Sequence, residues 1–191
     1  LSGPHFFVAT PFNKTPKRTA SSNKAYDQID LLAIEDDYLP RSNYAPMEKS
    51  EEYIRRTPKV SWLEEGESIA RPVTDYYRLA NREMLSQSGE RTFVAALLPK
   101  RVGHLYTAVS IAFASSSDLL AALNFSQSLP VDFFVKSTGV GHANAGLLST
   151  VPISTHIDVR LSVRALALNC LTIHYGDLWQ QAFDSAFIRQ R

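Results

Sequence analysis

The sequence is poor in cysteine, in long apolar runs and in any excess of charge. A single cysteine, Cys170, among 191 residues excludes an intramolecular disulfide and any zinc site built from several thiolates. One thiol suits a reducing compartment, and the corresponding expectation is a cytoplasmic protein. No uninterrupted apolar stretch approaches the about 18 residues of a membrane-spanning helix, so no membrane partner is expected. The start, Leu1-Ser2-Gly3-Pro4-His5-Phe6-Phe7-Val8, has neither an initiator Met nor the basic segment of a signal peptide. It reads as a piece of a longer protein.

Catalytic signatures are missing as well. The five histidines, His5, His104, His142, His156 and His174, show no metal-ligand spacing among themselves or with Cys170. Glu35-Asp36-Asp37 stands outside any calcium-loop pattern. The chain contains no Gly-Lys-Thr/Ser phosphate loop, nucleophile elbow or dinucleotide fingerprint. No catalytic residue, metal or cofactor is therefore assigned to it, and the residues read as a binding module.

What is present suits a folded chain. Hydrophobic content of 45% and charged content of 20% are ordinary for a globular protein. The 20 Lys and Arg nearly balance the 19 Asp and Glu, whereas autonomous nucleic-acid-binding domains are commonly clearly basic. Any nucleic-acid contact must then come from a local patch.

Several elements are expected from pattern. His5 to Val8 reads as a short strand ended by Pro11, Asn13 to Asn23 as a basic loop, and Ile29 to Ile34 as a second strand. Glu48 to Glu67 has no clean period and reads as mostly irregular. Thr74 is placed to cap a helix from Asp75 to Ser88 ended by Gly89, with Arg78 and Arg82 on one face. Thr92 to Leu98 and Leu105 to Phe113 read as a hairpin joined by Pro99-Lys100-Arg101-Val102-Gly103-His104. A helix follows from the Ser115–Asp118 caps, with Pro130 kinking or restarting it. Helical periodicity returns from Ile157 to Cys170, then as a stripe of Leu178, Trp179, Ala182, Phe183, Ala186 and Phe187.

Four groups of residues offer binding chemistry. Lys14, Lys17 and Arg18 could neutralise phosphates or simply face solvent. Arg78 and Arg82 could clamp a phosphate or read guanine, or pair with Glu83 or Glu90. Lys100, Arg101 and His104 sit on a turn between strands, where a recognition loop would have a rigid support. In Gly139-Val140-Gly141-His142-Ala143-Asn144, His142 and Asn144 could reach a base edge or phosphate, or Asn144 could bond local backbone.

Several stretches share a family pattern. They are Gly3-Pro4-His5-Phe6-Phe7-Val8 with Asn13-Lys14-Thr15-Pro16, and Asp36-Asp37-Tyr38-Leu39-Pro40-Arg41-Ser42-Asn43-Tyr44. Tyr77-Arg78-Leu79-Ala80-Asn81-Arg82-Glu83-Met84 with Glu90-Arg91-Thr92-Phe93 follows, then Gly141-His142-Ala143-Asn144 with Leu148 and Pro152. Together they resemble the region downstream of the catalytic domain in large adenine-specific DNA methyltransferases, the single-chain restriction-modification enzymes of type IIG and similar phage-defence methylases.

The resemblance implies a target-recognition domain that binds duplex DNA for a catalytic domain carried by the rest of the parent methyltransferase. It implies an α+β fold with a mixed or antiparallel sheet and packed helices over residues 1–156, followed by a helical C-terminal extension over 157–191. The family transfers the methyl group of S-adenosylmethionine at an Asn/Asp-Pro-Pro-Tyr/Phe motif beside a flipped adenine. That motif is missing from this sequence, so the cofactor is expected in the parent's catalytic domain. Which residues read bases varies across such a family. The DNA-contacting candidates Lys14, Lys17, Arg18, Arg41, Arg78, Arg82, Lys100, Arg101, His142 and Asn144 therefore rest on charge and loop position. The alternative is a non-catalytic interaction or structural module, docking through the Trp179, Phe183 and Phe187 stripe and the mixed-charge Glu48–Glu67 segment.

Overall fold

The segment expected to be a helix after Thr74 is the central strand of the main sheet. A computed structural model describes residues 1–189 apart from 20, 21, 23, 155 and 156. In chain order its strands are β1 (Lys14–Pro16), β2 (Tyr26–Gln28), β3 (Arg78–Arg82), β4 (Ala95–Leu98) and β5 (Ala108–Ala112). Its helices are α1 (Ser50–Arg56), α2 (Ser116–Gln127), α3 (Leu129–Ser137), α4 (Ala145–Leu148), α5 (Val159–Asn169) and α6 (Gly176–Ala182). The fold is α+β, with two small antiparallel sheets and helices that continue to the C-terminal end.

A 3-10 turn at Val73–Asp75 leads into β3, which pairs antiparallel with β4 on one side and β5 on the other. Leu79 stands opposite both Leu97 and Ile111. The helix expectation for 75–88 fails because non-local pairing overrides the helix-forming composition of this segment. β4 and β5 lie where the strands were expected, but they do not form a hairpin. β3 sits between them in the order β4-β3-β5, so the 99–107 connection crosses the central strand.

The N-terminal expectations are corrected too. Gly3–His5 forms a 3-10 turn, and Phe7 bridges Thr10 across Ala9, whose φ is 63°. Part of the basic segment pairs as β1 with β2, whereas residues 20, 21 and 23 of that expected loop lie outside the described residues. Ile29 to Ile34 is not a strand. Its chain turns at Asp30, whose carboxylate accepts from the Leu32 amide at 2.9 Å. Within Glu48–Glu67 the chain forms α1, with Glu51 and Glu52 in its first turn and Arg55 and Arg56 in its last, the charge order a helix dipole favours.

The sheet has two different faces, because side chains alternate along each strand. Leu79, Ala95 and Leu97 belong to the main core with Leu119, Leu120 and Leu123 of α2, Leu166 of α5 and Leu178 of α6. The other face carries Ala80, Ala96, Leu98 and Ala108, covered in part by Leu1, Phe6 and Val102. Ser115 caps α2, and Pro130 restarts the chain as α3 in its first turn, with Ser128 as the cap. Asp132 of α3 is buried and accepts from the amides of Thr92 at 2.9 Å and Phe93 at 2.7 Å, fixing the approach to β4.

The C-terminal helices complete the same core. Leu97, on the edge strand β4, donates its amide to the Asn169 side chain at 2.9 Å and accepts from the Tyr175 hydroxyl at 2.8 Å. The edge is thereby closed by side chains rather than by another strand. Trp179 packs against the main core and donates to the Cys170 carbonyl at 2.9 Å. The division expected after His156 falls beside residues 155 and 156, outside the described ones. Among the described residues no helix is long and apolar enough to cross a membrane.

Candidate functional site

The strand alternation that divides the sheet also puts Arg78, Ala80 and Arg82 on one face. Arg78 is only 2% exposed, and its Nη2 donates to the Val102 carbonyl. Its Nε has no partner, and among the described residues it forms no ion pair. Burial lowers its pKa to about 10, so the guanidinium stays charged at neutral pH. Arg82 is also turned inward, donating to the carbonyls of Gly3 (3.2 Å) and Phe6, and burial lowers its pKa as well. The two arginines pin the covering segments to the sheet instead of forming an exposed clamp.

Beside Arg78 lies a cavity of about 690 Å³. Register explains it. Ala112 pairs with Arg78, Ser110 with Ala80 and Ala108 with Arg82, so small side chains make the floor over β5. Tyr53, Arg56 and Thr57, from α1 and its end, form a wall, and Tyr106 stands 83% exposed at the opening. His104 bonds Ser110 Oγ through Nε2 at 2.8 Å, and burial lowers its pKa below the ordinary histidine range. Both acids of the cavity are paired: Glu48 lies 3.4 Å from Arg56 in the same wall, where Glu52 also accepts from Arg56 Nε at 2.5 Å, and Glu83 meets His142 Nδ1 at 2.6 Å.

A second cavity, of about 420 Å³, shares Tyr53, Gly103 and His104 with the first. It adds Arg41, Tyr44 and Arg101. Arg101 adopts φ 63° and donates its amide to the Thr74 carbonyl at 2.7 Å, which fixes the turn while the residue remains exposed. Arg41 donates to the Pro16 carbonyl at 3.2 Å, beside Lys17 at the end of β1. The two cavities adjoin at these shared residues, with Arg41 and Arg101 lining the smaller and Arg56 and Arg78 the larger.

The remaining candidates are distributed differently. Lys14 and Arg18 are exposed on or next to β1, and Lys17 lies 3.5 Å from Asp27. Such an exposed pair contributes little to stability. Lys100 lines a separate cleft, 2.5 Å from Asp177 and over the Tyr77 ring. Burial would raise the Asp177 carboxyl, but hydrogen bonds from Lys100 and Tyr77 hold it below the ordinary carboxylate range. Asn144 caps α4, accepting from the Leu147 amide at 2.9 Å, so its side chain serves a turn. His142 bridges Met84 at the end of the sheet, and through Glu83 it stands at the far rim of the larger cavity.

Sequence reasoning missed Tyr53, Arg56, Ser110 and Tyr106. The available signal was the alternation Tyr106, Ala108, Ser110, Ala112, a strand face too small to fill its own space. Among the described residues no group of three or more His, Cys, Asp or Glu side chains is placed to hold a metal ion. The chain matches no protein-family model, no curated protein and no solved structure.

Proposed function

We propose that the chain is a DNA-recognition module of an adenine-specific restriction-modification methyltransferase, binding duplex DNA for a catalytic domain in the rest of the parent. One observation carries the reading: Arg41, Arg78 and Arg101, none of them in an ion pair among the described residues, line two adjoining cavities that together form a groove, while Arg56 beside them is held by Glu48 and Glu52. Exposed Tyr44, Tyr53 and Tyr106 stand along the groove, supplying flat apolar surface beside the cations. Lys14, Lys17 and Arg18 extend the charge from the neighbouring β1 end, where Arg41 is anchored. Near-neutral overall charge is compatible with this, because phosphate attraction acts over about a Debye length of 8–10 Å. S-adenosylmethionine belongs to the parent's catalytic domain in this reading.

Fluorescence anisotropy of a labelled duplex at low salt tests it. Binding should weaken linearly with log salt, and Arg41→Gln or Arg101→Gln should each reduce the slope by about 0.9. Absence of binding to any duplex, the parent's own site included, refutes the reading.

A second reading, a non-catalytic docking module for the rest of the parent, is favoured by a different surface. Phe125, Pro130, Val131, Pro152, Ile157 and Leu161 line an apolar cleft of about 400 Å³, with Leu129 and Phe133 exposed nearby on α3. Trp179 of the Trp179, Phe183 and Phe187 stripe is instead packed within the chain. Leu161→Ser with Phe133→Ser should abolish assembly with the parent's remainder in light scattering, and unchanged assembly sinks this reading.

A further inference from the structure

The larger cavity borders a buried cation, Arg78, that pairs with neither of the cavity's carboxylates, Glu48 and Glu83. A buried cation ordinarily has a carboxylate or several acceptors, because desolvating an unpaired charge costs several kcal/mol. Arg78 has one carbonyl acceptor, an unpartnered Nε and no ion pair among the described residues. The Val102 bond accounts for one guanidinium nitrogen and for the anchoring of the 99–107 connection. It leaves the remaining positive charge beside a void of about 690 Å³, within the about 300–1,000 Å³ range of small-ligand pockets.

The lining specifies what would fit. Thr57 and the His104–Ser110 pair add hydrogen-bonding groups to the lining, Arg56 is held there by Glu48 and Glu52, and Tyr53 and Tyr106 bring aromatic faces. The alanines at 108 and 112 provide a flat apolar floor. A small inorganic anion would satisfy Arg78 and leave most of the cavity empty. A ligand joining phosphate to an aromatic ring uses both parts.

We propose that this cavity is a nucleotide site, in which Arg78 takes the phosphate and Tyr53 and Tyr106 flank the base. The inference rests on the nucleic-acid reading of the groove and deepens it: the outer arginines hold a duplex, and the cavity accepts one nucleotide unit. That unit comes either from a strand, as an extrahelical nucleotide, or from free nucleoside monophosphate.

Isothermal titration of the chain with each of the four deoxynucleoside monophosphates tests the site, with the matching nucleosides as uncharged controls. Saturable binding of at least one nucleotide is expected, weakened at least tenfold in Arg78→Met and in Ala112→Leu. The second variant fills the floor without removing the buried cation, so it carries the test if Arg78→Met fails to fold. A duplex carrying aminopurine opposite an abasic site separates the sources: changed fluorescence on binding assigns the strand nucleotide, and unchanged fluorescence with retained monophosphate binding assigns the free one. If no monophosphate binds the folded chain, or if both variants bind as well as the parent sequence, the inference is overturned. Anisotropy with an ordinary duplex separates the two proposals. Duplex binding without monophosphate binding overturns this site alone, whereas monophosphate binding without duplex binding refutes only the DNA-recognition reading.

Discussion

Asn169→Leu is the most direct test of whether the C-terminal helices are structurally part of the sheet. Asn169 is fully buried, accepts from the Leu97 amide at 2.9 Å and donates to the Ala165 carbonyl at 2.9 Å. Leucine has similar bulk and no acceptor, so the amide on the edge of β4 loses its partner inside the core. An orphaned buried donor costs about 1–3 kcal/mol, and Tyr175→Phe, which removes the donor to the Leu97 carbonyl, costs about 0.5–1.5 kcal/mol. Against a typical domain stability of about 5–15 kcal/mol, the double variant should shift the urea midpoint plainly. Far-UV circular dichroism reports the whole chain, and fluorescence in a Trp62→Phe background reports Trp179 beside Cys170. The two probes should give one coincident transition, displaced in both variants. A loss below about 0.5 kcal/mol for Asn169→Leu, or Trp179 fluorescence changing well before circular dichroism, would refute the single-core argument.

Three further outcomes are expected. Asp132→Ala strands the Thr92 and Phe93 amides and leaves Arg91, 3.4 Å away, without its acid; a loss of about 3–5 kcal/mol is expected in thermal or urea unfolding. Gly103→Ala puts a Cβ 2.4 Å from the Tyr53 hydroxyl, but that side chain is 39% exposed and its tip can move. Stability should fall by less than about 1 kcal/mol, while nucleotide affinity measured by titration changes more. Burial holds His5 and His104 below the ordinary histidine range, so the folded chain binds fewer protons than the unfolded one. Their contribution is fully present above about pH 6.5 and declines as pH falls through that value. The melting temperature should drop between about pH 7 and 5, and His104→Gln should flatten part of that drop.

The elements legible in the sequence are those whose signals are local. α2 and α3 are marked by serine caps and by Pro130, and α5 by apolar residues at three- and four-residue steps that meet α2 in the structure. β3 gave no such signal. Its residues are buried on both faces, so neither a half-polar alternation nor a helical stripe distinguishes it, and its pairing partners lie 14 to 34 positions away. Leu, Ala, Arg and Glu in that stretch favour a helix locally, and only the paired neighbours reverse the preference. The hairpin error follows directly. β4 and β5, adjacent in sequence, cannot pair with each other because β3 lies between them in space. β1 and β2, three residues each, are too short for periodicity to register.

The basic residues divide by burial, which the sequence does not record. Arg78 and Arg101 look alike in the sequence, each beside a hydrophobic strand segment. Strand alternation turns the first inward beneath the 99–107 connection, and a left-handed turn leaves the second outward on it. An exposed arginine can meet a duplex phosphate with little desolvation, so it contributes to long-range attraction that salt weakens. A buried one is already stripped of water, so a ligand that reaches it gains a strong charge-assisted bond with little further desolvation of the protein. Removing Arg101 should therefore change the salt slope of duplex binding, whereas removing Arg78 should change the affinity for a small anionic ligand with little effect on that slope. The difference arises from Ala108, Ser110 and Ala112: larger side chains on that face of β5 would fill the space beside Arg78 and leave it a purely internal cation.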